Sequence, residues 1–77
     1  NPFNPSTTIN FTVPYTSKVI LEVYDINGRN ILELASGNYN PGYHSITWDA
    51  DNYPSGIYFV KLQTNQNTIT KKLILIK

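Results

Sequence analysis

The stretch Val19–Leu34, VILEVYDINGRNILEL, decides the fold. Val19, Leu21 and Val23 alternate with Ile20, Glu22 and Tyr24, the two-residue period of a strand with one face buried. Asn27-Gly28 follows, a strong short-range hairpin signal whose usual form is a type I′ turn with two positive φ angles. Ile31–Leu34 then returns antiparallel. One hairpin is thus written into sixteen consecutive positions, and the same grammar extends in both directions.

Upstream, Ile9, Phe11 and Val13 alternate with Thr8, Asn10 and Thr12 in a first strand that Pro14 stops. Downstream, SGNYNPGY (36–43) reads as a turn cluster. His44, Ile46 and Trp48 form one face of a fourth strand, and DADNYPSG (49–56) forms the next loop. Tyr58, Val60 and Leu62 alternate with Phe59 and Lys61 in a fifth strand. TNQN (64–67) turns the chain into a final strand, Thr68–Ile76. Its end, KKLILIK, is apolar on both faces, which predicts a central position or cover on both sides. No segment has sustained helical spacing. Short strands at regular spacing predict an all-β domain: a small antiparallel Ig-like or fibronectin-like β-sandwich of about six to seven strands. The hairpins are expected to fix register for strands two and three and for the last two.

Seventy-seven residues allow a single domain, 1–77. Folding at this size buries roughly 60% of the unfolded chain's surface. There is no Cys, so neither a disulfide nor a thiolate metal site can staple it. A net charge of +1 with 14% charged residues leaves no basic field for nucleic acid or anionic lipid. No apolar run approaches the ~20 residues of a helical membrane span. The chain starts at Asn1 without Met, and it is expected to be a piece of a longer precursor.

Candidate chemistry is sparse. His44 is the lone His and suits a hydrogen-bonded strand-end residue better than a catalyst. No Ser stands in a nucleophile elbow. Glu22 and Glu33 face each other across the hairpin as solvated strand residues. DADN (49–52) is the best candidate for a hard cation such as Ca²⁺, but lacks a further acid at useful spacing, and its side chains suit turn capping. Asn10-Phe11-Thr12 matches a glycosylation sequon inside a strand. No enzyme activity, cofactor, metal or small-molecule substrate is expected.

Six Tyr and one Trp exceed what a small core needs. Trp48 and Tyr58 are expected in the core, whereas Tyr39, Tyr43 and Tyr53 are left open as loop covers or a glycan-stacking surface. In YPSGIYFVKL (53–62), Pro54 sets a turn and Gly56 permits positive φ or close approach. Gly-x-Tyr spacing puts Gly56 and Tyr58 on one face, where the missing side chain would leave room for the ring.

NPFNPSTTINF (1–11), LEVYDINGR, the YHSITWDA segment, YPSGIYFVKL and the terminal KKLILIK, in this order, together resemble the C-terminal sorting domain of type IX secretion cargo. Related modules, including the Ig-like domain of the flagellar hook-capping protein, share the YD-NG hairpin and the W-D…G-Y segment. The resemblance implies a secretion label recognised by an outer-membrane translocon or shuttle, and in many members by a sortase. The route would run through the periplasm to the outer-membrane surface or medium, with the domain monomeric. It further implies partner recognition by Asn4 and Pro5, by Gly56 and Tyr58, and by the terminal segment Lys72, Leu73, Ile74, Leu75, Ile76 and Lys77. Leu73 and Leu75 can equally be core residues, with Ile74 and Ile76 covered by a neighbour. A passive Ig-like spacer or assembly module and a glycan-binding sandwich are the alternatives.

The opening residues 1–6 form an extended Asn-Pro lead-in. Each Pro biases the Asn before it towards extended backbone and removes an N–H donor. Phe3 is expected to plug one end of the sandwich. A processing junction would lie upstream of Asn1.

Overall fold

The computed structural model describes residues 2–3, 5–65 and 67–76. Its elements are β1 (Pro2–Phe3), β2 (Ser6–Val13), β3 (Ser17–Tyr24), β4 (Asn30–Tyr39), β5 (Gly42–Asp49), β6 (Gly56–Gln63) and β7 (Thr68–Leu75). No helix occurs among the described residues. A five-stranded sheet, in the order β1-β7-β6-β3-β4, packs on a two-stranded sheet, β2-β5. The expected β-sandwich is the observed architecture.

Alternation explains both layers. On the β2-β5 pair, Ile9 lies opposite Ile46 and Phe11 opposite His44 on the inner face. The intervening outer pairs are polar: Thr8 and Thr47 hydroxyls meet at 3.2 Å, and Ser45 Oγ donates to Asn10 Oδ1 at 2.6 Å. On the other layer, Val19, Leu21 and Val23 are fully buried, joined by Val60 and Tyr58 from β6 and Leu75 from β7. Trp48 and Val13 complete the contact between layers. Each such side chain contributes about 1.5–3 kcal/mol by leaving water, so the core sits wholly between the two sheets.

Three sequence expectations are corrected. Gly28 has φ +81°, but among the described residues, Asn27 included, none other than glycine has positive φ, so the Asn27-Gly28 turn is not type I′. Gly28 N–H donates to Asp25 C=O, and Asp25 N–H donates to Arg29 C=O. The connection is a three-residue loop with glycine in the left-handed position, the next commonest hairpin form. Asp25 favours it: Oδ1 accepts the N–H groups of Asn27 and Arg29, and Oδ2 takes the Arg29 side chain at 3.1 Å.

The turn cluster at 36–43 shrinks to Asn40-Pro41, because β4 continues to Tyr39 and β5 starts at Gly42. Register shifts opposite Leu21/Glu22 and Val23/Tyr24 mark bulges in the first half of this long strand, which stays paired with β3 as far as Tyr39. Both expected hairpin registers hold, β3 with β4 and β6 with β7.

The third correction concerns β7. Along its first residues it pairs with β6 alone, and only at Ile74 and Leu75 does β1 join it on the other side. The last strand is therefore an edge for most of its length and an interior strand at its end. The apolar-on-both-faces pattern of LILI coincides with that end.

Candidate recognition end

The chain's opening, the start of β6 and the end of β7 meet in one row. Phe3 pairs with Leu75, and Leu75 pairs with Gly56. Pro2 pairs with Ile74, and Ile74 with Ile57. One step inward, Tyr58 lies opposite Leu73 and Phe59 opposite Lys72. Pro5 then crosses to the other layer, where its carbonyl accepts the Ala50 N–H at 2.9 Å. The lead-in is thus fixed on both layers.

Beneath this row sits an aromatic cluster. The Trp48 ring, 1% exposed, meets Tyr58 edge-on at 5.3 Å and Tyr53 at 5.6 Å, and the two tyrosines lie 6.4 Å apart. T-shaped contacts of this kind suit the ring quadrupoles and add to plain burial. Tyr58 Oη donates to the Pro54 carbonyl at 2.6 Å. Burial is the main influence on this phenol and raises its pKa above the ordinary tyrosine value, aided by Asp25 and Tyr53. Tyr53 is held by its own N–H, which donates to Ala50 C=O at 3.0 Å, and Asp49 Oδ1 accepts the Asp51 N–H. The DADN loop uses at least one of its carboxylates as a turn cap, and no cluster of three metal-ligating side chains occurs among the described residues.

Of the residues singled out from the sequence, Pro5, Gly56, Tyr58, Lys72, Leu73, Ile74 and Leu75 come together at this end. Leu75 is 1% exposed, Leu73 packs on the core, and Ile74 is half-buried on the outer face. Ile76, immediately beyond, is 50% exposed, and Lys72 is exposed. Asn4 and Lys77 lie outside the described residues, as does the expected plug formed by the Phe3 side chain.

Gly56 does not make room for the Tyr58 ring. A Cβ built there meets no atom within 4 Å, whereas its φ of +157° is a conformation that other residues rarely adopt. The glycine is needed by the backbone at the entry to β6. Sequence reading missed the parallel β1–β7 pairing and the Pro5–Ala50 bond. Tyr53 could have been found from its spacing, five residues before Tyr58 across a Pro-containing turn.

Phe11, Tyr39 and His44 form a second cluster at the other end. Phe11 stacks on His44 with centroids 5.5 Å apart, and Tyr39 meets both rings edge-on. His44 Nε2 bonds the Asn40 carbonyl at 2.7 Å, the strand-end role expected of it. Tyr43 is 89% exposed. Tyr39 and Tyr43 flank the start of β5 while Tyr53 follows its end, so the three do not form one flat platform.

The described residues thus form a small β-sandwich with one densely bonded end, where β1, β6 and β7 meet. The family model for the secretion system C-terminal sorting domain matches residues 1–77, and the chain belongs to that family. It is a type IX secretion sorting signal, of a non-catalytic kind, which engages the secretion machinery and implies export to the cell surface or medium. No curated protein and no solved structure matches the chain.

Proposed function

We propose that this domain carries its cargo from the periplasm across the outer membrane, and that the secretion machinery reads the end where β1, β6 and β7 meet. The cargo would cross the inner membrane by a separate N-terminal signal. An outer-membrane translocon or shuttle is the partner we assign to the recognition end, with a sortase acting afterwards on the junction before Asn1. The observation that carries this reading is the convergence of Pro5, Gly56, Tyr58 and Lys72–Leu75, distant in sequence, around one exposed apolar residue, Ile76. An address label needs a feature that exists only when the domain is folded, and this end is assembled from three separate segments.

Residues 1–77 fused to a periplasmic reporter in a type IX-competent host provide the test. Export to the surface or medium is expected, and a reporter that stays in the periplasm overturns the reading. Deleting the last residues would be uninformative, because Leu75 is buried. The pair Lys72→Glu and Ile76→Asn alters only exposed side chains at the described end and should lower export while the domain stays folded.

A further inference from the structure

The two sheets stand apart between β2 and β7. A groove of about 560 Å³ opens there. Ile9 and Phe11 line it from β2, Leu62 from β6, and Ile69, Lys71 and Leu73 from β7. Ile69 is 49% exposed inside it. Among the described residues β2 pairs with β5 alone, and Thr68–Leu73 of β7 pairs with β6 alone. An apolar inner surface is therefore flanked by two strands whose outer backbone groups have no strand partner, an arrangement that accepts an added strand.

The occupant follows from register. β1 already occupies this edge of β7, parallel to it, with Pro2 opposite Ile74 and Phe3 opposite Leu75. In a parallel pair, residues leading into β1 run back along Leu73, Lys72, Lys71, Thr70, Ile69 and Thr68. A C-terminal sorting domain stands behind the cargo it sorts, so cargo polypeptide leads into β1. We propose that the segment of about five residues immediately upstream of Asn1 lengthens β1 along the free edge of β7 and fills the groove. The second residue upstream falls opposite Lys71 and the fourth opposite Ile69, both facing the groove by strand alternation. No carboxylate among the described residues pairs with Lys71. The segment that fits best places an acidic or amide side chain second and an apolar one fourth. The proposal rests on the domain's C-terminal position, not on export, and is tested on purified protein.

In the full-length parent protein, a cysteine at the second upstream residue is combined with Lys71→Cys. Paired strands lie about 4.8 Å apart, within disulfide reach. Mild oxidation is expected to close this bond within one molecule, seen by mass and by mobility without reductant. Moving the upstream cysteine to the third residue, which faces away, should cut the yield sharply. Equal yields, no bond, or a bond between two molecules overturns the proposal, the last assigning the groove to a second copy. A second measurement avoids cysteine altogether. Alternate amides of Thr68–Leu73 should exchange about tenfold or more slowly in the parent protein than when the second and fourth upstream residues are proline, which removes ladder donors. Unchanged exchange also overturns it.

Discussion

Tyr58 folds back on Pro54: its hydroxyl donates a 2.6 Å hydrogen bond to the carbonyl four residues earlier, tying the start of β6 to the loop before it. The same ring stands edge-on to Trp48, so one side chain joins loop, strand and core. Tyr58→Phe keeps the ring and removes the bond. The expected cost is about 1 kcal/mol, a fall in Tm of roughly 4–8 °C at this chain length. Thermal unfolding followed by circular dichroism measures it, and an unchanged Tm would mean that the bond contributes nothing.

Alkaline stability should fall for a related reason. Burial raises the Tyr58 pKa, and the hydrogen bond from Tyr24 to Glu22 raises that of Tyr24. A raised folded pKa gives stability that is present below the unfolded value near 10 and lost as pH climbs through the folded one. Melting temperature should therefore decline from about pH 10 upward, and Tyr58→Phe should flatten part of that decline. A flat profile in the wild type would show that neither phenol is perturbed.

Acid acts on the opposite limb, through the β3–β4 turn. The Arg29 backbone N–H holds the Asp25 pKa below the ordinary aspartate value, with help from Asn27 N–H and the Arg29 side chain. A depressed folded pKa gives stability above the unfolded value of about 3.9 that is lost as pH falls further. Asp25→Ala should melt below the wild type at neutral pH, and the gap should narrow as pH falls below about 3.9 and the folded carboxylate takes up its proton. A gap that persists in acid would assign the effect to something other than the carboxylate.

Gly56→Ala separates space from conformation. The new methyl group meets nothing within 4 Å, yet the φ of +157° disfavours it. A loss of about 1 kcal/mol in urea unfolding is expected. A neutral result would free this glycine from any folding role and leave recognition as its reason for being there.

Leu75→Ala and Ile76→Ala distinguish folding from reading by a partner. Truncating the buried Leu75 should cost about 2–5 kcal/mol, a large part of the roughly 4–12 kcal/mol expected for 77 residues. Ile76, half-exposed, should cost under about 0.5 kcal/mol. Export lost with Leu75→Ala alone would make the segment purely structural; export lost with stable Ile76→Ala would make it a contact.

Local rules carried most of the fold. Alternation placed Val19, Leu21, Val23, Val60 and Trp48 inside because a strand has only two faces. Asn27-Gly28 located the hairpin, although Asp25, through its cap on Asn27 and Arg29, favoured a different turn from the one the dipeptide suggests. The pairing of Pro2 and Phe3 with Ile74 and Leu75 left no trace in either segment, since a two-residue strand has no period to detect. For the same reason the end formed by Pro5, Gly56, Tyr58 and Leu75 was recognisable from motifs but not as one place. The Pro5–Ala50 bond is a backbone contact, which side-chain identity cannot announce.

The partnership of the first strand with the last also sets a timetable. Every other strand of the large sheet finds a neighbour nearer in sequence, but β1 waits for β7, which is made last. Closure between such distant segments is slow relative to hairpin formation, and a chain released before Ile74 and Leu75 are added has no partner to offer Pro2 and Phe3. A domain cut short before Ile74 and Leu75 would therefore lack the finished end, so that end forms only once all seven strands have been made.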